Sequence, residues 1–348
     1  MTEKNFFLTD LMKLGDHLAF EDFIRSNTLD GQEFTFTADY YRLHTFKFEE
    51  FNRKFAIIDH RILHQEIWKN DDYLRDFHSR TKKLHELGFV FIIGHPWESQ
   101  ENVSGWFDFE NLLQGKRYVS WSGGTSWFWH MMHKKHHDKK YNFIHEYKKF
   151  DFLYLNKYPR RHRVLLYKKL KENDLLNNSL YTFVRYDNRR LPAQYELPEL
   201  NGKDYPIAGL DQEIFEPPYN ESAYNIISET NDNDNDIFMT EKIWKPIMAK
   251  QPFIVHGNHG YLKKLREMGF ETFNGIIDES YDLEKNKKTK IELITRSCQQ
   301  LLMSNWKDVY ADTKSQREHN YDNFWNRESL ENEINKTVLG FLKFADRS

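Results

Sequence analysis

Residues 236–257 read DIFMTEKIWKPIMAKQPFIVHG. Threonine caps helices well, because its hydroxyl accepts one of the orphan N–H groups of the first turn. TEKIWKPIMAK therefore reads as a helix opening at Thr240, and PFIVHG reads as a short buried strand. Before this stretch, AYNIISET (223–230) is another strand candidate, and GYLKKLREMG (260–269) after it has helical spacing. Strand, helix, strand, helix in succession is the pattern of an α/β unit with a parallel sheet.

The same alternation runs upstream. KFAIIDH (54–60) predicts a strand, and Leu74, Phe77, Leu84 and Leu87 recur at helical spacing before Gly88, a plausible stop. FVFIIGH (89–95) is a continuous apolar run, and RYVSWSGG (117–124) follows as a strand ending in a glycine turn. A second unit starts at DFLYLN (151–156), passes through an amphipathic RVLLYKKLKENDLL (163–176) and returns as SLYTFVRY (179–186). Residues 188–220 hold five of the nine prolines and read as irregular, whereas 290–345 is almost all helical pattern.

The expectation is an α/β protein of two Rossmann-like domains facing across a cleft, with a C-terminal helical tail. The expected bounds are 1–148, 149–315 and a helix in 316–348 that packs back on the first domain or caps the second. A chain of 348 residues with 28 Phe, 19 Tyr and 9 Trp has enough apolar volume for two such cores. Net charge is −3, which argues against a dedicated nucleic-acid binder. The single cysteine, Cys298, excludes an intrachain disulfide and fits a reducing compartment. No signal peptide and no run of about 18 apolar residues is seen, so a soluble cytoplasmic protein without a transmembrane segment is expected.

The chemistry concentrates at Glu241 and Lys242. A helix start offers free N–H groups and a partial positive charge, which attract phosphates. Lys242 opposes that dipole unless an anion lies there, and Glu241 can accept two hydrogen bonds from a vicinal diol such as a ribose. Together they suggest a nucleoside diphosphate; a solvated helix start would carry the same pair. Arg160, Arg161 and Arg163 cluster in a second strand-to-helix turn, where guanidinium groups can grip phosphate bidentately.

The stretch DIFMTEKIWKPIMAKQPFIVHG resembles the donor-binding signature of the α-1,3-fucosyltransferases, glycosyltransferase family 10. RVLLYKKL (163–170) resembles the family's Arg-Val-x-x-Tyr-x-x-Leu segment, and FNGIIDESYD (273–282) its Phe-, Ile- and Asp-rich turn. The similarity spans roughly residues 151–285. It implies a GT-B fold, a GDP-fucose donor held by the second domain, and inversion at the sugar's anomeric carbon. By that resemblance Glu241 holds the ribose, Lys242 and Arg163 neutralise the diphosphate, and Phe238, Thr240 and Glu229 belong to the donor site, to which the arginine cluster adds Arg160. Phe238 stands where the family usually has tyrosine, and Glu229-Thr230 where it has Glu-Asn.

An inverting transfer needs a carboxylate to take the acceptor's proton. Glu98, just past the strand at 89–95, is the candidate, and WES (97–99) resembles the family's Phe-Glu-Ser in the acceptor domain; Glu101 and Asp108 are alternatives. His95 and Trp97 are candidate acceptor contacts. His130, His133 and His137 have spacing for one helix face, yet no cysteine or carboxylate completes a metal set, and NDNDND (231–236) lacks the glycine and glutamate of a calcium loop. No metal or cofactor is expected, since lysine and arginine supply the positive charge. The expected partners are a nucleotide-sugar donor and a glycan acceptor. A different nucleotide sugar, or a binding protein with a decayed site, stays open.

Overall fold

The structure is a computed structural model describing residues 2–9, 21, 24–25, 31–59, 71–94, 113, 115–121, 124–196, 212–230, 232 and 237–336. It divides into two compact units, Met1–Trp127 with Glu331–Ser348, and Phe128–Leu330.

The first unit is built on a five-stranded parallel sheet of β1 (Glu3–Leu8), β2 (Gln32–Thr37), β3 (Arg53–Asp59), β4 (Val90–Gly94) and β5 (Tyr118–Trp121), ordered β2-β1-β3-β4-β5. Because side chains alternate along a strand, Phe6 and Leu8, Ala56 and Ile58, and Phe91 and Ile93 share one face. They pack with Phe77 and Leu84 of α1 (Asp71–Glu86). The helix ends as its sequence suggested, with Gly88 in the left-handed conformation at φ 81°. Two strands, β1 and β2, precede the first one expected from sequence. In β2 the alternation of Phe34 and Phe36 with threonines was the available signal, and both rings lie against the buried Phe7.

In the second unit the sheet is β6 (Phe150–Asn156), β7 (Leu180–Phe183), β8 (Ser222–Ser228) and β9 (Phe253–His256), all parallel and ordered β7-β6-β8-β9. Every residue of β8 is buried, the polar Ser222, Asn225 and Ser228 included. Helix α2 (Gly124–His136) ends in this unit, and α3 (Arg161–Glu172) links β6 to β7. A one-and-a-half-turn α4 (Glu216–Glu221) runs into β8, and α5 (Glu241–Met248) links β8 to β9. Then follow α6 (Tyr261–Glu267), α7 (Lys287–Met303), α8 (Trp306–Asp312) and α9 (Lys314–Trp325).

The division between units falls at 127/128, inside α2, where the sequence pattern suggested 148/149. Aromatic packing explains it. Trp129 is fully buried, stacks on Trp244 of α5 at 5.4 Å, and donates its indole N–H to the Phe324 carbonyl at 3.1 Å. The irregular stretch 137–149 therefore belongs to the second unit rather than separating the two.

Candidate functional site

The chain leaves β6 through α3 to β7 on one side, then crosses to β8 on the other side of β6. Open parallel sheets take their ligands beyond the strand ends at such a reversal. The segments beyond the C-terminal ends of β6 and β8 are the start of α3, the Glu229-Thr230 pair and the start of α5.

Thr240 has extended backbone, and its Oγ1 accepts from the Lys242 N–H at 3.5 Å, so it caps α5 as its residue type suggested. Glu229 lies just after β8 and is fully buried. Its Oε1 accepts from the Thr240 N–H at 3.1 Å and the Tyr261 hydroxyl at 2.8 Å. Its Oε2 accepts from the Thr240 hydroxyl at 2.8 Å and the Thr230 N–H at 3.1 Å. Four donors are what a buried carboxylate needs to offset its lost hydration.

Lys242 reaches the same cluster. Its Nζ donates to Thr240 Oγ1 at 2.8 Å, Glu241 Oε1 at 2.9 Å and Thr230 Oγ1 at 3.3 Å, and stands 3.9 Å from Glu229 Oε2. Its side chain keeps 24% of its surface exposed, enough to meet a ligand. From the α3 side, Arg163 Nε and Nη2 donate to the Glu229 carbonyl at 3.1 and 2.9 Å. His162 Nε2 meets that carbonyl at 2.9 Å, and since a carbonyl only accepts, Nε2 carries the proton. One residue thus holds a cation of α3 by its backbone and a cation of α5 by its side chain.

Burial pushes the Glu241 carboxyl up, but the charges of Lys242 and Lys245 outweigh it and hold its pKa below the ordinary carboxylate value. Burial, then the Arg160 charge, pulls Arg163 down; a guanidinium nevertheless stays protonated. Burial likewise brings His162 to about 4, against the raising effect of Asp232, so its ring is neutral at pH 7. The arrangement gathers two cations, the partly exposed Lys242 and the buried Arg163, and an ionised carboxylate beside a capped helix start, a set whose chemistry suits a diphosphate and a hydroxyl donor.

Arg163, Glu229, Thr240, Glu241 and Lys242 come together. Arg160 is the N-cap residue of α3, exposed and without a side-chain cap bond. Phe238 is buried against Phe128 at 5.8 Å and is tied by its N–H to Asn258 Oδ1 at 3.0 Å. Both oxygens of Glu229 face inward, so it orders the site rather than lining its mouth. Glu98, His95 and Trp97, with the alternatives Glu101 and Asp108, lie outside the described residues. The ring of His133 lies 5.5 Å from that of His137 and 5.4 Å from that of Trp325. Among the described residues no group of three or more His, Cys, Asp or Glu is placed to hold a metal ion. Of NDNDND only Asp232 is described; it pairs with Lys287 at 3.2 Å.

Sequence reasoning missed His162 and Tyr261. His162 stands among three arginines that draw the eye; Tyr261 follows Gly257 and Gly260, whose reason is structural. A Cβ on Gly257 would lie 2.8 Å from the Tyr261 ring. A groove of about 620 Å³ between α3 and α7 shares His162 with the site and is also lined by Asp232, Ile291 and exposed side chains such as Lys168 and Lys288.

Among the described residues no helix is long and apolar enough to cross a membrane. No family model matches the chain, and no curated protein matches it. Among solved structures, one described as an alpha1,3-fucosyltransferase with GDP-fucose is similar over 91% of this chain and 92% of that one, at 10% identity and a TM-score of 0.33.

Proposed function

We propose that the protein is a glycosyltransferase that binds a nucleoside-diphosphate sugar beyond β6 and β8 and passes the sugar to a glycan hydroxyl. The observation that carries this reading is the convergence of Arg163 and Lys242, from two different strand-to-helix turns, on Glu229. Two cations fixed beside one helix start suit a leaving group that gains negative charge as its bond to the sugar breaks. The ionised Glu241 accepts the ribose hydroxyls. The sequence resemblance to family 10 names GDP-fucose as donor and inversion as the stereochemical course.

In that course the acceptor oxygen attacks the anomeric carbon from the face opposite the diphosphate, and a carboxylate takes the hydroxyl proton. Glu98 is assigned this role from sequence. Arg163 and Lys242 then hold the departing GDP, with no metal ion needed for charge balance.

Thermal-shift and calorimetric titrations with GDP, UDP, CMP and GDP-fucose, on wild type and Lys242→Ala, test the reading. A ligand that binds only the folded chain raises its melting temperature. Stabilisation by GDP and GDP-fucose that weakens at least tenfold in the variant is expected. Preference for UDP or CMP keeps a transferase and removes fucose; no response to any nucleotide overturns the proposal.

A further inference from the structure

The Thr240 hydroxyl has one proton and two lone pairs. Lys242 Nζ donates to its oxygen at 2.8 Å, and the Lys242 N–H also points at it at 3.5 Å. The hydroxyl proton must therefore point elsewhere, and it points at Glu229 Oε2, 2.8 Å away. Were that proton turned toward Lys242, the lysine would lose an acceptor and meet a like-signed dipole. The orientation of one buried carboxylate thus decides whether Thr240 can hold Lys242.

Tyr261 fixes that orientation from outside the site. It is 1% exposed and opens α6, and its hydroxyl donates to Glu229 Oε1 at 2.8 Å. Two further contacts keep it there. Its ring lies against Gly257 so closely that no side chain fits between them. The first turn of α6 is tied down by Asp282, which accepts from the Leu262 and Lys263 N–H groups at 2.8 and 3.1 Å. With Oε1 occupied by Tyr261 and the Thr240 N–H, Oε2 is left to face the Thr240 hydroxyl.

We infer that Tyr261 is a positioning residue for the anion site, acting through Glu229 and the Thr240 proton on Lys242, without touching the ligand itself. The inference rests on the reading of Lys242 as a diphosphate contact. A tyrosine is suited to the task because burial and the neighbouring Glu229 raise its pKa well above the ordinary value, so it stays a donor.

A double-mutant cycle in GDP binding, read by calorimetry, tests it: wild type, Tyr261→Phe, Lys242→Ala and the pair. Tyr261→Phe keeps the ring against Gly257 and removes only the hydroxyl. The expected result is a three- to tenfold loss of GDP affinity on Tyr261→Phe in the wild-type background and none in the Lys242→Ala background. A merely structural role would give equal losses in both, and that outcome overturns the inference, as does unchanged affinity in the single variant. Thr240→Val, which removes the relaying hydroxyl but keeps its shape, must abolish the effect of Tyr261→Phe in the same way. If Lys242→Ala alone leaves GDP binding untouched, it is the donor-site reading that fails, a result distinct from additivity in the cycle.

Discussion

Replacing Lys148 by methionine should change how stability depends on alkaline pH, by an amount set by one buried proton. Lys148 is 8% exposed, and its Nζ donates to the Asn220 carbonyl at 2.9 Å and to Tyr219 O and His145 Nδ1 at 3.1 Å each. The ammonium lies 5.2 Å from the Tyr310 ring centroid, and the Arg317 guanidinium lies 4.3 Å from the same centroid. Burial first, and the Arg317 charge second, bring its pKa from 10.5 to about 7. A lysine depressed in the folded state is a cost that is fully present below about pH 7 and fades as pH rises toward the unfolded value. Between those limits the unfolded chain binds more protons, so stability rises with pH. At pH 7 about half of the folded molecules hold this proton and at pH 9 almost none, while the unfolded chain holds it throughout; the integral is about 2 kcal/mol. Urea unfolding of wild type and Lys148→Met at pH 7, 8 and 9 isolates it, because groups shared by both proteins cancel. Wild type should gain about 2 kcal/mol on the variant between pH 7 and 9. A difference constant to within about 0.5 kcal/mol would mean that Lys148 is solvated or stays protonated, and would refute the reasoning.

On the acid side the sign is the same, so stability falls as pH falls. Burial lowers His136 to about 4 and His145 to about 3, so the unfolded chain takes up protons first as pH falls from 6.5. Each histidine should remove up to about 1.4 kcal/mol per pH unit, and His145→Gln should flatten the urea-midpoint profile between pH 6.5 and 4.5; equal slopes would exclude it. Trp129→Ala empties a site packed against Trp244 and Phe270 and deletes the bond to Phe324. A loss of about 3–5 kcal/mol is expected from such truncations, against a smaller loss for Trp129→Phe, with both read by denaturant midpoint. Gly257→Ala drives a methyl into the Tyr261 ring and should cost about 1–3 kcal/mol. It should also weaken GDP binding, because the ring cannot yield without moving its hydroxyl from Glu229. Unchanged affinity with lowered stability would separate the two effects.

The α/β class was legible because a parallel sheet covered on both faces leaves continuous apolar runs, such as FLYL in β6 and FIV in β9. The cap at Thr240 was equally legible, being a local event between a hydroxyl and an N–H two residues on. β1 and β2 were not, because Glu3, Asn5, Gln32 and Glu33 dilute short strands with polar residues whose partners are remote. The fully buried Asn5 donates its amide to Gln32 Oε1 at 2.6 Å, a partner 27 residues away that no window of sequence reveals. The same applies to the division inside α2: the basic residues of WFWHMMHKKHH obscure Trp129, whose partners are Trp244 and Phe324.

Within the site, the charged residues were readable from local chemistry, whereas Glu229 entered only through the family resemblance. Lys242 and Arg163 stand out, since cations at helix starts conflict with the local dipole and call for an anion. Glu229 gives no such signal, because its meaning lies in contacts 11 residues away at Thr240, 32 away at Tyr261 and 66 away at Arg163. Those three separations belong to three elements, α5, α6 and α3, which a buried carboxylate and its own carbonyl bring to one point. Such a residue can be replaced only at the cost of several bonds at once: Glu229→Gln puts an amide donor where donors already converge, leaving at least one buried N–H or O–H without an acceptor. One buried residue thereby fixes both Arg163, through its carbonyl, and the Thr240 hydroxyl that holds Lys242.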